Sequence, residues 1–174
     1  MVTTKESLFA SARKVLDLIP KLSVITAGFA LAAMTGLIVA EVVGRGLFRV
    51  SIPFSIEYAE YLIPVIALWG AAYALSVRGH VRADIFVSRL SARPRLWFDL
   101  MGYIVGLAFV IILGIQTVDL VVTSFKFGYT SMYPLATPLG WARLVLPIGL
   151  SLFGLQLVVE IVRMAKLVFL SYKY

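Results

Sequence analysis

Acidic residues near the ends of two apolar segments are the side chains of this sequence best suited to proton or cation chemistry. Glu41 and Arg45 are four residues apart, and Glu57 and Glu60 are three apart, so each pair lies on one face of a helix. Arg45 and Arg49 can reach these carboxylates across the short connection between the segments. The cluster is either a coupling site for a transported ion or a structural cluster, including a contact to a partner subunit. We favour the structural interpretation, because both pairs lie near the water interface and coupling sites usually lie near the bilayer midplane.

The other residues offer no catalytic constellation. The sequence contains no cysteine, which excludes disulfides, thiolate metal sites and dithiol redox chemistry. Its single histidine, His80, cannot supply the paired axial ligands of a haem. We find no Ser, His and Asp set, no phosphate-binding glycine loop and no metal-ligand cluster. We therefore expect neither an enzyme nor a bound cofactor.

The composition is that of a membrane protein. The 174 residues are 61% hydrophobic and 14% charged, whereas a soluble domain carries about 25% charged residues. The charged side chains are gathered mainly between long apolar runs. The net charge of +7 is first a topology signal, and no basic stripe with interleaved aromatic residues predicts binding to nucleic acid.

Four segments reach the roughly 20 apolar residues that a helix needs to cross a bilayer. They are about Leu22 to Val43, Tyr58 to Val77, Leu96 to Val122 and Leu139 to Val162. Because these runs lack the alternation of barrel strands, the sequence predicts an all-α integral membrane protein with four transmembrane helices. We expect a single membrane domain over residues 1–174. The N-terminal segment 1–21 is expected at the cytoplasmic interface, with a short amphipathic helix over residues 7–19.

The distribution of Lys and Arg predicts the orientation. Twelve of these residues lie in the N-terminal segment, the second loop and the C-terminal end, against four in the first and third loop regions. Loops rich in Lys and Arg stay in the cytoplasm. We therefore expect a multi-pass protein of the bacterial inner membrane with both termini cytoplasmic.

Small residues recur at intervals of four in the first and third segments. They are Gly28, Ala32, Gly36, Ala40 and Gly44 in the first, and Gly102 and Gly106 in the third. Such a stripe lets a neighbouring helix approach closely in lipid. We expect packing against a helix of this chain or of another polypeptide.

Polar side chains deeper in the third and fourth segments need partners as well. Gln116 and Asp119 lie in the third segment, and Gln156 and Glu160 lie in the fourth. We expect the two glutamines to hydrogen-bond between helices. Glu160 is expected to pair with Arg163, three residues further on.

The second loop, residues 78–95, is expected to form a short amphipathic helix at the cytoplasmic interface. Arg78, Arg82 and Arg89 are then close to anionic lipid head groups. His80 is expected to cap the second helix by meeting its terminal carbonyls, although it could also act as a pH sensor.

The stretch from Ile52 to Phe86 resembles the small membrane subunits of tripartite ATP-independent periplasmic (TRAP) transporters, the DctQ-like family. It contains Pro53, Glu57 at the start of the second helix, a Gly-Ala-Ala sequence from Gly70, and the run Gly-His-Val-Arg-Ala-Asp from Gly79. The length, the four-helix plan and the proline-containing third loop are similar too.

The resemblance implies a small subunit that scaffolds a large transport subunit in a stable heterocomplex. A periplasmic substrate-binding protein would deliver an organic acid to that complex, and uptake would be driven by sodium. Membrane lipids would surround the chain. The alternative is a self-sufficient small multidrug-type exporter, acting as a homodimer with Glu41 or Glu57 as the coupling carboxylate.

Overall fold

The computed structural model describes the backbone of residues 2–77 and 92–171, and side chains within 18–77 and 94–169. Its helices are α1 (Val2–Leu47), α2 (Ser55–Ser76), α3 (Ala92–Phe127), α4 (Leu139–Arg143) and α5 (Val145–Ser171). Within the described residues, four stretches are long and apolar enough to cross a membrane: Leu18–Leu47, Ser55–Ser76, Pro94–Phe127 and Leu139–Phe169. The prediction of an all-α, four-span membrane protein is confirmed.

Two details of the helices differ from the prediction. Residues 7–19 do not form a separate amphipathic helix, because α1 continues through them into the first span. Pro20 lies inside α1, where its missing N–H removes one backbone hydrogen bond without ending the helix. The predicted fourth helix is interrupted at Leu144. Pro147, in the first turn of α5, has no N–H to donate to the carbonyl of Arg143, so the two pieces do not join as one regular helix.

The helices pack in a row. Contacts run from α1 to α2, from α2 to α5 and from α5 to α3, while the short α4 packs on α3 and α5. The buried core lies among α2, α3 and α5 and contains Leu75, Val110, Leu150 and Leu157. The outer helices α1 and α3 therefore each bury one side and leave the other side uncovered by this chain.

Two connections lie at the same end of the row, which we call the turn end: residues 48–54 between α1 and α2, and residues 128–138 between α3 and α4. α3 ends in a Schellman motif, in which Gly128 has a φ of 62° and the Tyr129 N–H donates to the Ser124 carbonyl. The Ser131 N–H then donates to the Thr137 carbonyl, and an isolated antiparallel bridge joins Thr130 and Pro138. Its own backbone hydrogen bonds thus order the 128–138 loop.

Candidate functional site

Glu41 is the centre of a hydrogen-bond cluster at the turn end. Although it lies in a membrane-spanning helix, it is 6% exposed and its carboxylate is surrounded by donors. Oε1 accepts from the Arg45 guanidinium and from the Ser51 hydroxyl at 2.8 Å, and Oε2 accepts from the Ile52 N–H at 2.6 Å. The Ser55 hydroxyl lies 3.0 Å from Oε2 and also 2.8 Å from the Ile52 carbonyl, and its one proton serves either acceptor. Glu41 thereby ties the end of α1 to the start of α2.

Glu57 is fully buried in the first turn of α2 and connects it to the 128–138 loop. Its Oε1 accepts from the Ser131 hydroxyl at 2.6 Å and from the Tyr61 hydroxyl at 2.8 Å. Thr137 faces the same carboxylate, but Oε2 of Glu57 and the hydroxyl oxygen of Thr137 make no hydrogen bond with a described residue. The loop thus encloses the carboxylate, and Oε1 is the oxygen that accepts hydrogen bonds from described side chains.

Glu60 is exposed one turn further along α2, where it accepts a hydrogen bond from the Tyr133 hydroxyl at 2.5 Å. This hydrogen bond, together with desolvation and the charges of Glu60 and Glu57, raises the pKa of Tyr133 above its ordinary value of 10.0. The phenol is therefore held in its neutral, donating form. Ser131 and Tyr133 together fasten the loop to α2 through two neighbouring carboxylates.

The hydrogen-bonded contacts of Glu41, Glu57 and Glu60 connect α1, α2 and the 128–138 loop, and we call them the clasp. Their arrangement is that of a structural cluster. Glu41 pairs with Arg45 as the spacing predicts, while Arg49 forms no ion pair with any carboxylate in the described part of the chain. Arg49 instead adopts a φ of 55° in the turn after α1. A coupling carboxylate must exchange a proton or an ion, and donors of the same chain already occupy Glu41. Among the described residues, no group of three or more His, Cys, Asp or Glu side chains forms a metal site.

Two further polar contacts join neighbouring parts of the chain. Arg143 of α4 donates to the buried Ser124 hydroxyl of α3 at 2.7 Å, which holds α4 against the end of α3. Glu160 is 1% exposed and accepts from Arg163 at 3.1 Å, the pairing that the sequence predicts. Gln156 is 5% exposed, but its side chain makes no hydrogen bond with a described residue, so the interhelical hydrogen bond predicted for it is not found in the described part of the chain.

The predicted small-residue stripe of α1 does not lie between helices of this chain. Its residues are exposed from Gly28 to Ala40, and a β-carbon added to Gly28 or Gly36 would meet nothing within 4 Å. Gly44 differs, because the turn after α1 brings the Val50 carbonyl within 3.0 Å of such a carbon. The sequence left open whether the stripe packs against a helix of this chain or of another polypeptide. Since it does not pack against a helix of this chain, packing against another polypeptide stays a prediction.

The two small residues predicted to pack in α3, Gly102 and Gly106, also differ in their surroundings. A β-carbon on Gly106 would lie 3.7 Å from Leu157 of α5, so Gly106 faces the core. Gly102 has no such neighbour within 4 Å. Of the deeper polar residues of α3, Gln116 and Asp119 are exposed rather than buried between helices. The expectation that Gln116 hydrogen-bonds to another helix of this chain is therefore wrong for the described residues.

Four further residues contribute to the clasp and do not stand out in the sequence. Ser51 lies in the 48–54 turn and Ser55 is the first residue of α2. Ser131 and Tyr133 lie in a loop more than 70 residues after the carboxylates that they contact. The sequence signal for such a role is limited to Ser51 in the turn that follows Glu41 and to Ser55 at the start of the next helix. The predicted head-group residues Arg78, His80, Arg82 and Arg89 lie outside the described residues.

Comparison with known proteins places this fold in a family. The family model described as tripartite ATP-independent periplasmic transporters, DctQ component, matches residues 34–167. A relative, the C4-dicarboxylate TRAP transporter small permease protein DctQ of Rhodobacter capsulatus, is 28% identical over 123 residues. The aligned region covers 68% of this chain and 52% of the relative, so the chain spans about half the length of that protein.

Proposed function

Since the chain belongs to the DctQ component family of TRAP transporters, we propose that it scaffolds the large membrane subunit of such a transporter. It is a transporter component and not an enzyme. In the proposed complex, a substrate-binding protein delivers an organic acid from the periplasm, and the large subunit carries the acid inward with sodium. The small subunit anchors the stationary part of the large subunit in the bilayer.

The observation that best supports a scaffolding role is the engagement of the carboxylates at the turn end. Glu41 accepts hydrogen bonds from a guanidinium, a hydroxyl and a backbone N–H, and Glu57 accepts two from hydroxyl groups. Moving an ion through either site would require breaking contacts that hold the helices and the loop together. A rigid clasp suits a fixed support better than a site that must open and close in every transport cycle.

A C4-dicarboxylate is the first substrate to test, because the Rhodobacter capsulatus relative is named for that class. The family resemblance assigns the choice of acid to the other two components. We further propose that the turn end faces the periplasm and both termini face the cytoplasm of the inner membrane, on the basis of the Lys and Arg distribution.

The test is reconstitution of the large subunit in liposomes, with and without this chain. The binding protein, loaded with a labelled C4-dicarboxylate, is added outside, and a sodium gradient is imposed. We expect uptake only when both membrane subunits, the binding protein and the gradient are present. Undiminished uptake without this chain would refute the scaffolding role.

The exporter alternative is tested in parallel with the chain alone. Vesicles that contain only this chain are given a proton gradient and a fluorescent lipophilic cation. Our proposal predicts no gradient-dependent movement of the dye. Movement that disappears in the Glu57→Gln variant would establish the exporter instead.

A further inference from the structure

One side of α3 carries polar groups toward the outside of the helix row. Gln116 and Asp119 are three residues apart and lie on one helical face, opposite the buried Val110 and Val121. Both are exposed, and within the described residues neither has a hydrogen-bond or ion-pair partner. Ile112, on the same face one turn from Gln116, is 59% exposed.

This face lies within Pro94–Phe127, a stretch long and apolar enough to cross a membrane. Asp119 is eight residues before the end of α3 at Phe127, which corresponds to roughly 12 Å along the helix axis, and Gln116 is roughly 16 Å from that end. Asp119 is thus deeper than Lys126 and than Ser124, where Arg143 binds. A carboxylate facing lipid at such a position is expensive, and ionisable residues in membrane spans almost always face protein or a water-filled cavity.

The other described acidic residues all take part in interactions with their own chain. Glu41, Glu57, Glu60 and Glu160 accept hydrogen bonds, and Asp99 also has an interaction partner. Asp119 is the exception within the described spans. No described residue of this chain supplies its partner, and the polar face of α3 points away from the other described helices.

The charge of the face selects the kind of partner. In a parallel, two-fold symmetric pair of these chains, each Asp119 would meet its copy at the same depth, and the like charges would repel. Lys126 is seven residues further along α3, roughly 10 Å away, and cannot neutralise that pair. A helix of a different polypeptide with a cationic side chain at the depth of Asp119 satisfies both the charge and the geometry.

We infer that the Gln116 and Asp119 face of α3 is the docking surface for a transmembrane helix of the large subunit. The partner helix carries an arginine or lysine that pairs with Asp119, and it brings a hydrogen-bonding group to Gln116. This inference rests on the proposed function for the identity of the partner. It adds the surface and the chemistry by which that partner is recognised.

The experiment measures capture of the large subunit by the tagged chain after co-expression and mild detergent extraction. The test variant is Asp119→Leu, and the matched control is Val122→Leu, at a 57% exposed apolar position on the same helix. Docking predicts that Asp119→Leu lowers capture by about tenfold while Val122→Leu retains it. A lipid-facing Asp119 predicts that Asp119→Leu leaves capture unchanged, because removing the charge only favours insertion of the helix.

Two measurements make the result decisive. The Asp119→Leu chain must keep its helical circular dichroism and elute as a single species, which separates lost docking from misfolding. A photoreactive residue at Ile112 should cross-link to the large subunit, with a lower yield when Asp119→Leu is also present.

The outcomes also separate this inference from the proposed function. If the unmodified chain captures no large subunit, the proposed function fails. If it does, but Asp119→Leu captures as much and Ile112 does not cross-link, the docking face on α3 is refuted and the scaffolding role stands.

Discussion

Gly149 of α5 offers a measurement of how closely α2 and α5 pack. A β-carbon at this position would lie 2.8 Å from the β-carbon of Leu68 and 2.9 Å from Nε1 of Trp69. The β-carbon of Leu68 is attached to the backbone, so it cannot rotate away, and the two helices must separate. Overpacking of this kind costs about 1–3 kcal/mol.

The matched control is Gly36→Ala, because a β-carbon on Gly36 meets nothing within 4 Å. Glycine is less favourable than alanine in a helix by about 1 kcal/mol, and this gain is common to both variants. The difference between Gly149→Ala and Gly36→Ala therefore isolates the steric cost. We expect Gly149→Ala to be less stable than Gly36→Ala by about 1–3 kcal/mol.

The assay is unfolding of the isolated chain in mixed micelles by sodium dodecyl sulfate, followed by circular dichroism at 222 nm. Both variants and the unmodified chain are compared under identical conditions. Equal free energies of unfolding for the two alanine variants would show that α2 and α5 are not in close contact at Gly149, and the packing order of the row would have to be revised.

Three further predictions concern the clasp and the α1 stripe. Glu41→Gln should lower the thermal midpoint of the chain in detergent by several degrees, because an amide NH₂ then faces existing donors; Glu60→Gln, which perturbs one exposed contact, should lower it less, and a larger effect at Glu60 would contradict the cluster. The pKa of Tyr133 is raised in the folded state, so the Tyr133 hydrogen bond contributes fully to stability below the unfolded pKa of about 10, and this contribution is lost as the pH rises through the folded-state pKa. Absorbance at 295 nm should therefore show a tyrosine that ionises at a higher pH than a free phenol, and Tyr133→Phe should remove that part of the titration. An unchanged titration curve would refute this. Gly36→Leu should not destabilise the isolated chain, since leucine is a better helix former than glycine, yet it should weaken the complex with the large subunit on a native gel, whereas a fully retained complex would exclude the stripe from the interface.

The four spans could be predicted from the sequence because in lipid the backbone has few alternatives to the helix. Ion pairs within one helix could be predicted as well, because the pairing of Glu41 with Arg45 and of Glu160 with Arg163 follows from helical spacing. The contact between Glu57 and Ser131 could not be predicted, because Ser131 is 74 residues away in a loop whose course depends on packing.

The interval of four identifies only part of the close packing within this chain. The predicted Gly106 of α3 does face the core, but the stripe of α1 lies on an exposed face, and closer helix contacts are at Gly149 and Gly154, which are five residues apart and form no such pattern. Periodicity shows that a helix has a smooth face. It does not show whether that face turns toward its own chain or toward a partner.

The distance along the chain between Glu57 and Ser131 has a consequence for biosynthesis. During synthesis at 5–20 residues per second, α2 emerges roughly 4–15 s before the residues that enclose its carboxylate. Throughout that interval Glu57 has only Tyr61 as a hydrogen-bond donor from its own helix, and it must remain near water or a chaperone. The second span is therefore expected to settle at its final depth only after the last hairpin has been inserted.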